Sequence, residues 1–490
     1  MMCLSIPPER KWPVGTDNQA ALSSFFDTAV TRPTLGVVYG RRRIGKSTLL
    51  VRESQKRSGF YFEATRVATP VQLERLGRAL GEHLGVGRLA FDGWDEAVRA
   101  LIRLGADGMT PVVLDEFGHI LEADASVDSV IAAALGPGAR HKNVGQARLI
   151  LCGSAIAMIQ NLFSGQAPLR GRAGLELLMQ ADDYRVAAMR LPPGCDLDTA
   201  VRVFAVIGGV VGYATDMVDH DLPKSATDFD RWVVQRVLSP SATLHHEATT
   251  LLAEDPTVAG KGALLHHSIF AGIANGSITA GALANHLGRQ VPNIIPALNR
   301  LVDSGFVVRH EDPVRAQRSR YALNDPFLQF HYAVLEPNGP ALRDRPPAEV
   351  WSSRLVDVFG SQVRGPVFEE QARTWLRRYV SASTLEIPAH IGPSSAAIEG
   401  VEYELDVVAA GPGEVPSGRI ISAIGEAKAG EKITERHLRH LELARTAFGS
   451  RAQDAKLFLF GSHFDDVLKV TSEDRADVEL VDLERLYFGS

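Results

Sequence analysis

The sequence is poor in cysteine, in long apolar runs and in any excess of positive charge. Of 490 residues only Cys3, Cys152 and Cys195 are cysteine. They form no C-x-x-C pair, which argues against a disulfide framework or a thiolate zinc site and suits a reducing compartment. A formal net charge of −6 excludes a uniformly basic coat, so any contact with nucleic acid has to come from local patches. The most apolar stretch, 203–214, is too short to span a bilayer. The opening Met1-Met2-Cys3-Leu4-Ser5-Ile6-Pro7-Pro8 has no basic segment ahead of a long apolar core, so no secretory signal is expected. These absences predict a cytoplasmic protein with no membrane partner. The length predicts about three or four domains.

What is present is dominated by Gly40-Arg41-Arg42-Arg43-Ile44-Gly45-Lys46-Ser47. It fits the phosphate-loop pattern G-x-x-x-x-G-K-[ST] and follows Thr34-Leu35-Gly36-Val37-Val38-Tyr39, an apolar run that reads as a buried strand. The glycines let the backbone curl so that N–H groups face a triphosphate, and the helix opening near Lys46 adds its positive dipole end. The expected ATP-binding set is Gly40, Arg41, Arg42, Arg43, Ile44, Gly45, Lys46, Ser47 and Thr48. Lys46 is expected on the β and γ phosphates and Ser47 on magnesium.

Further along, Pro111-Val112-Val113-Leu114-Asp115-Glu116-Phe117 is an apolar strand ending in two acids. Asp115 is expected to hold the Mg2+ shell and Glu116 to polarise the attacking water. A third strand, Arg148-Leu149-Ile150-Leu151-Cys152-Gly153-Ser154, ends in a hydroxyl that either reaches the γ phosphate or the water, or simply caps the following helix. In Pro168-Leu169-Arg170-Gly171-Arg172, Arg172 is a candidate to neutralise transition-state charge, in cis or from a neighbouring subunit.

Taken in this order, the loop with its triple arginine, Leu114-Asp115-Glu116-Phe117, Leu151-Cys152-Gly153-Ser154 and Pro168 to Arg172 resemble the archaeal-type (DEXX-box) ATPase family. That family belongs to the signal-transducing (STAND) NTPases related to AAA+ proteins and also occurs in bacteria. The resemblance implies an ATPase core, 1–195, followed by a helical lid, 196–260, and allows for a nucleotide-dependent homo-oligomer. Ile207-Gly208-Gly209-Val210-Val211-Gly212-Tyr213 stands where the family carries a lid motif, without the proline usual after the glycines.

From 261 the pattern shifts to short helices, 268–274, 279–286 and 292–303. The segments 305–310 and 319–323 follow as a hairpin, so 261–335 reads as a winged helix-turn-helix. Its local charge is positive: Lys261, Arg289, Arg300, Arg309, Arg315, Arg318 and Arg320 stand against Asp303, Glu311, Asp312 and Asp325, a net of +3. Arg315, Arg318 and Arg320 on the wing are expected to contact DNA phosphates. The third helix offers Asn293 and little else to read bases. Asp325 and Pro326, in an Asp-Pro-Phe segment also similar to the family's, are expected to cap the next helix.

Turn residues around Glu336-Pro337-Asn338-Gly339-Pro340 and Arg345-Pro346-Pro347 predict a linker at 336–365. Beyond it, 368–376 reads as an amphipathic helix, and 403–409 and 419–428 as strands. Period two puts Glu426 and Lys428 on one face, and pairing with the preceding strand can bring Asp406 beside them. Two carboxylates and a lysine so placed can hold a magnesium ion and orient a water against a phosphodiester. The arrangement resembles the PD-(D/E)xK nuclease fold, with Leu405 where a proline is usual, and Glu369 matches a further acid many such nucleases use. The expectation is therefore a multidomain α/β protein: a phosphate-loop AAA+-like core with helical lid, a winged helix-turn-helix, and a restriction-endonuclease-like α/β domain at 366–490. The predicted metal ligands are Ser47, Asp115, Glu369, Asp406 and Glu426. The predicted catalytic groups are Lys46, Glu116, Ser154, Arg172, Asp406, Glu426 and Lys428. Such a protein would be an ATP-dependent switch over DNA binding or cleavage, the alternative being an ATP-gated DNA-binding regulator whose last domain is inactive.

Overall fold

Alternating apolar strands and amphipathic helices build the first of two compact units, Pro13–Asp182 with Asp255–Thr257, and the second comprises Asp183–Glu254 and Val258–Ser490. The computed structural model describes residues 16–30, 32–136, 147–260, 262–316, 318–398 and 400–490. The opening segment, with Cys3, and Lys261 lie outside the described residues.

In the first unit, β1 (Thr34–Tyr39), β2 (Phe60–Glu63), β3 (Val112–Asp115), β4 (Arg148–Gly153) and β5 (Ala173–Leu178) form one sheet in the order β2-β3-β4-β1-β5. Every pairing is parallel. All loops leaving the strands' carboxyl ends therefore gather on one edge, where ligands of such sheets bind. Leu35, Val37, Val112, Leu114, Leu149 and Leu151 are buried against the helix residues Leu73, Leu76, Trp94, Val98 and Leu101. Four of these strands match the predicted ones. The fifth, β5, is mostly exposed at the sheet's edge, and its short Ala-Gly-Leu-Glu-Leu-Leu pattern gives little to read.

In the second unit the helices Ala263–Ala274, Ala280–His286 and Val291–Asp303 precede a two-stranded antiparallel hairpin, β6 (Val307–Glu311) and β7 (Ser319–Leu323). Asp325 caps the next helix by accepting from the Phe327 N–H at 2.9 Å. The glycine-rich segment 207–213 meets that cap directly. The Tyr213 hydroxyl donates to Asp325 at 3.3 Å, the Tyr213 and Phe327 rings lie 4.9 Å apart, and Gly208 packs so that a Cβ would stand 3.0 Å from Pro326.

The predicted linker at 336–365 is helical instead, through Glu336–Asp344, Pro347–Val350 and two π-turns, Trp351–Leu355 and Phe359–Arg364. Pro337 and Pro340 both fall within a helical run that continues from the π-helical turn His331–Leu335. Trp351, Leu355, Phe359 and Val363 recur every four residues and are all buried. That stripe outweighs the punctuation by Gly and Pro.

The last sheet is mixed, β12-β11-β10-β9-β8, built from β8 (His390–Ile398), β9 (Val401–Ala410), β10 (Ile421–Ile433), β11 (Lys456–Phe464) and β12 (Val478–Val481). The first three strands are antiparallel and the last three parallel. The helix Gly365–Arg378 precedes them and Glu435–Phe448 crosses between β10 and β11. The chain's final helix, Leu483–Phe488, is tied to Tyr184–Ala188: Tyr184 donates to the Leu486 carbonyl at 2.9 Å, and Arg185 to Leu486 and Gly489 carbonyls at 2.8 and 2.7 Å. No helix among the described residues is long and apolar enough to cross a membrane.

Two histidines of this unit give it an acid limit. Burial pushes both His310 and His331 down to about 4; Glu370 opposes this at His310, and the nearby His267 and His245 add to it at His331. The unfolded chain takes up these protons near pH 6.5 and the folded chain only near 4. Stability is therefore full above pH 6.5 and is lost as pH falls through that window. Each histidine accounts for at most about 3 kcal/mol. Thermal unfolding followed from pH 7 to 4 is expected to show this decline, and His331→Gln to remove about half of it; an unchanged slope in the variant would count against this origin.

Candidate functional site

The carboxyl ends of β1, β3 and β4 bring the loop, the two acids and the hydroxyl together. Tyr39 pairs with Gly153 and Val38 with Cys152, while Leu114 pairs with Leu151. The strand carrying Asp115 is thus separated from the loop strand by β4, and Ser154 emerges between them.

The loop's shape depends on glycine at two places. Gly40 has φ 148° and a Cβ there would stand 2.2 Å from the Met179 carbonyl oxygen. Gly45 begins the helix Lys46–Lys56 with φ 92°. Both lie in the left-handed range that side chains resist. Lys46 is buried, and its Nζ donates to the carbonyls of Gly40 and Arg41, each at 2.8 Å. Its ammonium thereby ties the start of the loop to the helix that follows it. Ser47 and Thr48 are exposed at the start of the helix.

Asp115 is 1% exposed. Burial would raise its pKa, but hydrogen bonds from Cys152, Tyr61, Ser47 and the Glu116 N–H outweigh that and hold the carboxyl below its ordinary value. Tyr61 donates to Oδ2 at 2.6 Å and the Glu116 N–H to Oδ1 at 2.8 Å. An ionised carboxylate beside a serine hydroxyl is an all-oxygen donor set that suits Mg2+. Glu116 follows with φ 48°, an uncommon conformation for a residue with a side chain, of the kind that gathers at functional sites. Ser154 Oγ donates to Glu116 Oε2 at 3.2 Å. The hydroxyl expected to sense phosphate thus also holds the acid expected to activate water.

Arg172 is not brought to this cluster. Ala173 pairs with Leu35 at the start of β1, whereas Leu178 pairs with Tyr39 at its end. Arg172 therefore stands at the opposite edge of the sheet, about 17 Å from the loop at roughly 3.3 Å per residue. It is exposed and donates to the Pro168 carbonyl at 3.3 Å. Action in cis on a nucleotide at the loop does not follow from this geometry.

A second cluster lies on β9 and β10. Gly425 pairs with Val407, which sets Asp406 opposite Glu426. Lys428 Nζ lies 3.2 Å from Asp406 Oδ2 and 2.6 Å from Glu426 Oε1. The Ala427 N–H donates to Asp406 at 2.9 Å. Burial would lower the Lys428 pKa, but Asp406 and Glu426 reverse this and raise it. Burial, then the Asp406 charge, raises Glu426 and pushes Glu369 up to about 7. Glu369, expected to complete a ligand set, lies near enough to Asp406 to feel its charge, and its Oε2 is 3.7 Å from Arg373. Among the described residues no group of three His, Cys, Asp or Glu side chains is placed to hold a metal ion. The predicted donors available at one point are Asp406 and Glu426, with Lys428 between them.

The wing arginines are occupied within the chain. Arg315 Nη1 donates to Glu402 at 2.8 Å and to Ser395 Oγ at 3.0 Å. Arg318 also pairs with Glu402. Arg320 pairs with Glu404 at 3.2 Å and donates to the Ser394 carbonyl at 3.2 Å. The three arginines expected to contact DNA phosphates are thus already paired with Glu402 and Glu404. The third helix is the more open element: Asn293, Pro296, Asn299 and Arg300 are all exposed along it.

Sequence reasoning missed Tyr61, Cys152 and His440. The first two hold Asp115 from neighbouring strands, which only the strand order reveals. His440, on Glu435–Phe448, has Nδ1 3.7 Å from Glu426 Oε2 and its ring 5.1 Å from that of Tyr403.

No known family's sequence model matches the chain. An uncharacterized protein of Methanocaldococcus jannaschii is 22% identical over 347 residues, which cover 69% of this chain and 72% of that protein. Among solved structures the chain is similar to the Walker-type ATPase of Pyrococcus abyssi, with TM-score 0.46 and 16% identity over 68% of this chain and 100% of that one. It is also similar to the ORC2 protein of Aeropyrum pernix in its ADPNP and ADP complexes, with TM-score 0.44 and 16% identity over 69% and 96%. Cdc6p of Pyrobaculum aerophilum gives TM-score 0.32 and 13% identity over 70% and 97%.

Proposed function

We propose that this protein is an AAA+/STAND-type switch that binds and hydrolyses ATP with Mg2+ and thereby controls DNA binding or cleavage by its C-terminal domain. The observation that carries the reading is the convergence of Lys46, Asp115, Glu116 and Ser154 on one edge of a parallel sheet. Lys46 would exchange its two carbonyl partners for phosphate oxygens. Ser47 and Asp115 would hold the metal, which when bound neutralises phosphate charge. Glu116, held by Ser154, would take the proton of the attacking water. Arg172 would serve only a neighbouring subunit of a homo-oligomer, since its own loop is beyond reach.

In the same reading the helical triplet and hairpin are a winged helix, and the last sheet is a PD-(D/E)xK-type domain acting on DNA. Support for the latter is the antiparallel-then-parallel strand order with Asp406, Glu426 and Lys428 on its central strands. Wild-type protein with Mg2+ and ATP is expected to nick or cut plasmid, and Asp406→Ala to lose at least about 100-fold of that rate. Cleavage that survives in the variant rules out this site. One observation favours the alternative of an inactive, DNA-gripping domain: Lys428 Nζ lies 3.2 Å from Asp406 and 2.6 Å from Glu426, in the space a metal ion would need. Salt-dependent DNA binding without cleavage is the result that alternative expects.

A further inference from the structure

Glu402 sits in surroundings built for an anion. Its Oε1 accepts from Arg315 Nη1 at 2.8 Å, from Ser395 Oγ at 2.6 Å and from Arg318 Nη1. Two guanidiniums and a hydroxyl converging on one oxygen are the donors that recognise phosphate. Beside them, Arg320 faces Glu404. Glu402, Glu404 and Asp406 alternate along β9 and so share a face, as does Ser395, which pairs with Glu404 across β8. The Glu402 position lies about 13 Å from Asp406 at roughly 3.3 Å per residue. A phosphodiester backbone held by these arginines would thus run along the face on which Asp406, Glu426 and Lys428 meet.

We infer that Arg315, Arg318 and Ser395 form a binding cradle for the backbone phosphates of DNA, and that Glu402 occupies it as an internal phosphate mimic until DNA displaces it. The inference rests on the reading that this unit contacts DNA. The exchange is feasible because Glu402 and Arg318 are about half exposed, at 49% and 57%, and ion pairs this open to water hold weakly. A polyanion that releases counterions on binding can therefore outcompete them. The strong depression of the Glu402 pKa, to about 2, by Ser395 and Arg318 agrees with a carboxylate that stays charged and in place at neutral pH.

The test is full-length protein titrated with a 20-base-pair duplex at 50 to 200 mM salt. Glu402→Gln is expected to tighten binding about tenfold with little change in the salt slope, because DNA reaches the same two arginines in both proteins, whereas loss of both arginines lowers the slope by about two phosphate contacts, each near 0.9 in log–log slope. Adding Arg315→Ala and Arg318→Ala to that variant is expected to abolish the gain. Glu414→Gln, an exposed position with the same charge change, is expected to give under twofold. If the wild type binds and Glu402→Gln binds no better than Glu414→Gln, the mimic is overturned while DNA contact stands. If neither protein binds DNA at any salt, the DNA reading fails and takes this inference with it.

Discussion

Glu116→Gln is expected to lower ATP turnover about a thousandfold while leaving ATP affinity within about threefold of wild type. A positioned general base is worth about 10² to 10⁴ in rate, and glutamine keeps the size and the hydrogen-bonding oxygen while losing the ability to take a proton. The affinity is spared because Glu116 touches Ser154 and its own backbone supports Asp115; it makes no contact with the loop's carbonyls. The conformation at φ 48° belongs to the backbone, so the variant keeps it. Steady-state turnover and equilibrium binding of ATP, measured on the same preparation, check both halves. Equal loss of rate and affinity would show that the residue shapes the pocket rather than the chemistry.

Lys46→Ala is expected to act on binding itself. The ammonium is buried at 6% exposure and already has two carbonyl partners at 2.8 Å. Burial pulls its pKa down, and the neighbouring Glu116 and Asp115 oppose that pull. A triphosphate would supply stronger, charge-assisted partners. Hydrogen bonds to charged groups contribute about 1.5 to 3 kcal/mol each. Losing two of them corresponds to a fall in affinity of about 10² to 10⁴. The variant also leaves the Gly40 and Arg41 carbonyls without their donor, so its fold is to be checked by its unfolding midpoint.

How far the sequence alone reaches differs between the two sites for a physical reason. The loop Gly40–Ser47 is local: eight consecutive residues dictate the curl, and Gly40 and Gly45 take the left-handed conformations the pattern requires. Asp406, Glu426 and Lys428 were legible because strand periodicity fixes which side chains share a face, and Lys428 indeed spans the two acids. Contacts set by strand order were not legible. Tyr61 reaches Asp115 only because β2 lies beside β3, and Arg172 stands at the far end of the strands from the loop only because β5 runs parallel to β1. Glu402 and the hairpin arginines are more than 80 residues apart. No local pattern announces that meeting, so the sequence shows the arginines only as a basic cluster. At 336–365 the prolines and glycines misled, because Trp351, Leu355, Phe359 and Val363 bury a continuous stripe that helix formation alone allows.

Calorimetric titration of full-length protein with a non-hydrolysable ATP analogue and Mg2+, run beside Lys46→Ala of matched unfolding midpoint, tests the central claim most directly. Wild type is expected to give one saturable transition near one nucleotide per chain, and the variant none in the same concentration range. No heat from a well-folded wild type, or an identical isotherm from the variant, would contradict the assignment of the loop between β1 and its helix as a triphosphate site.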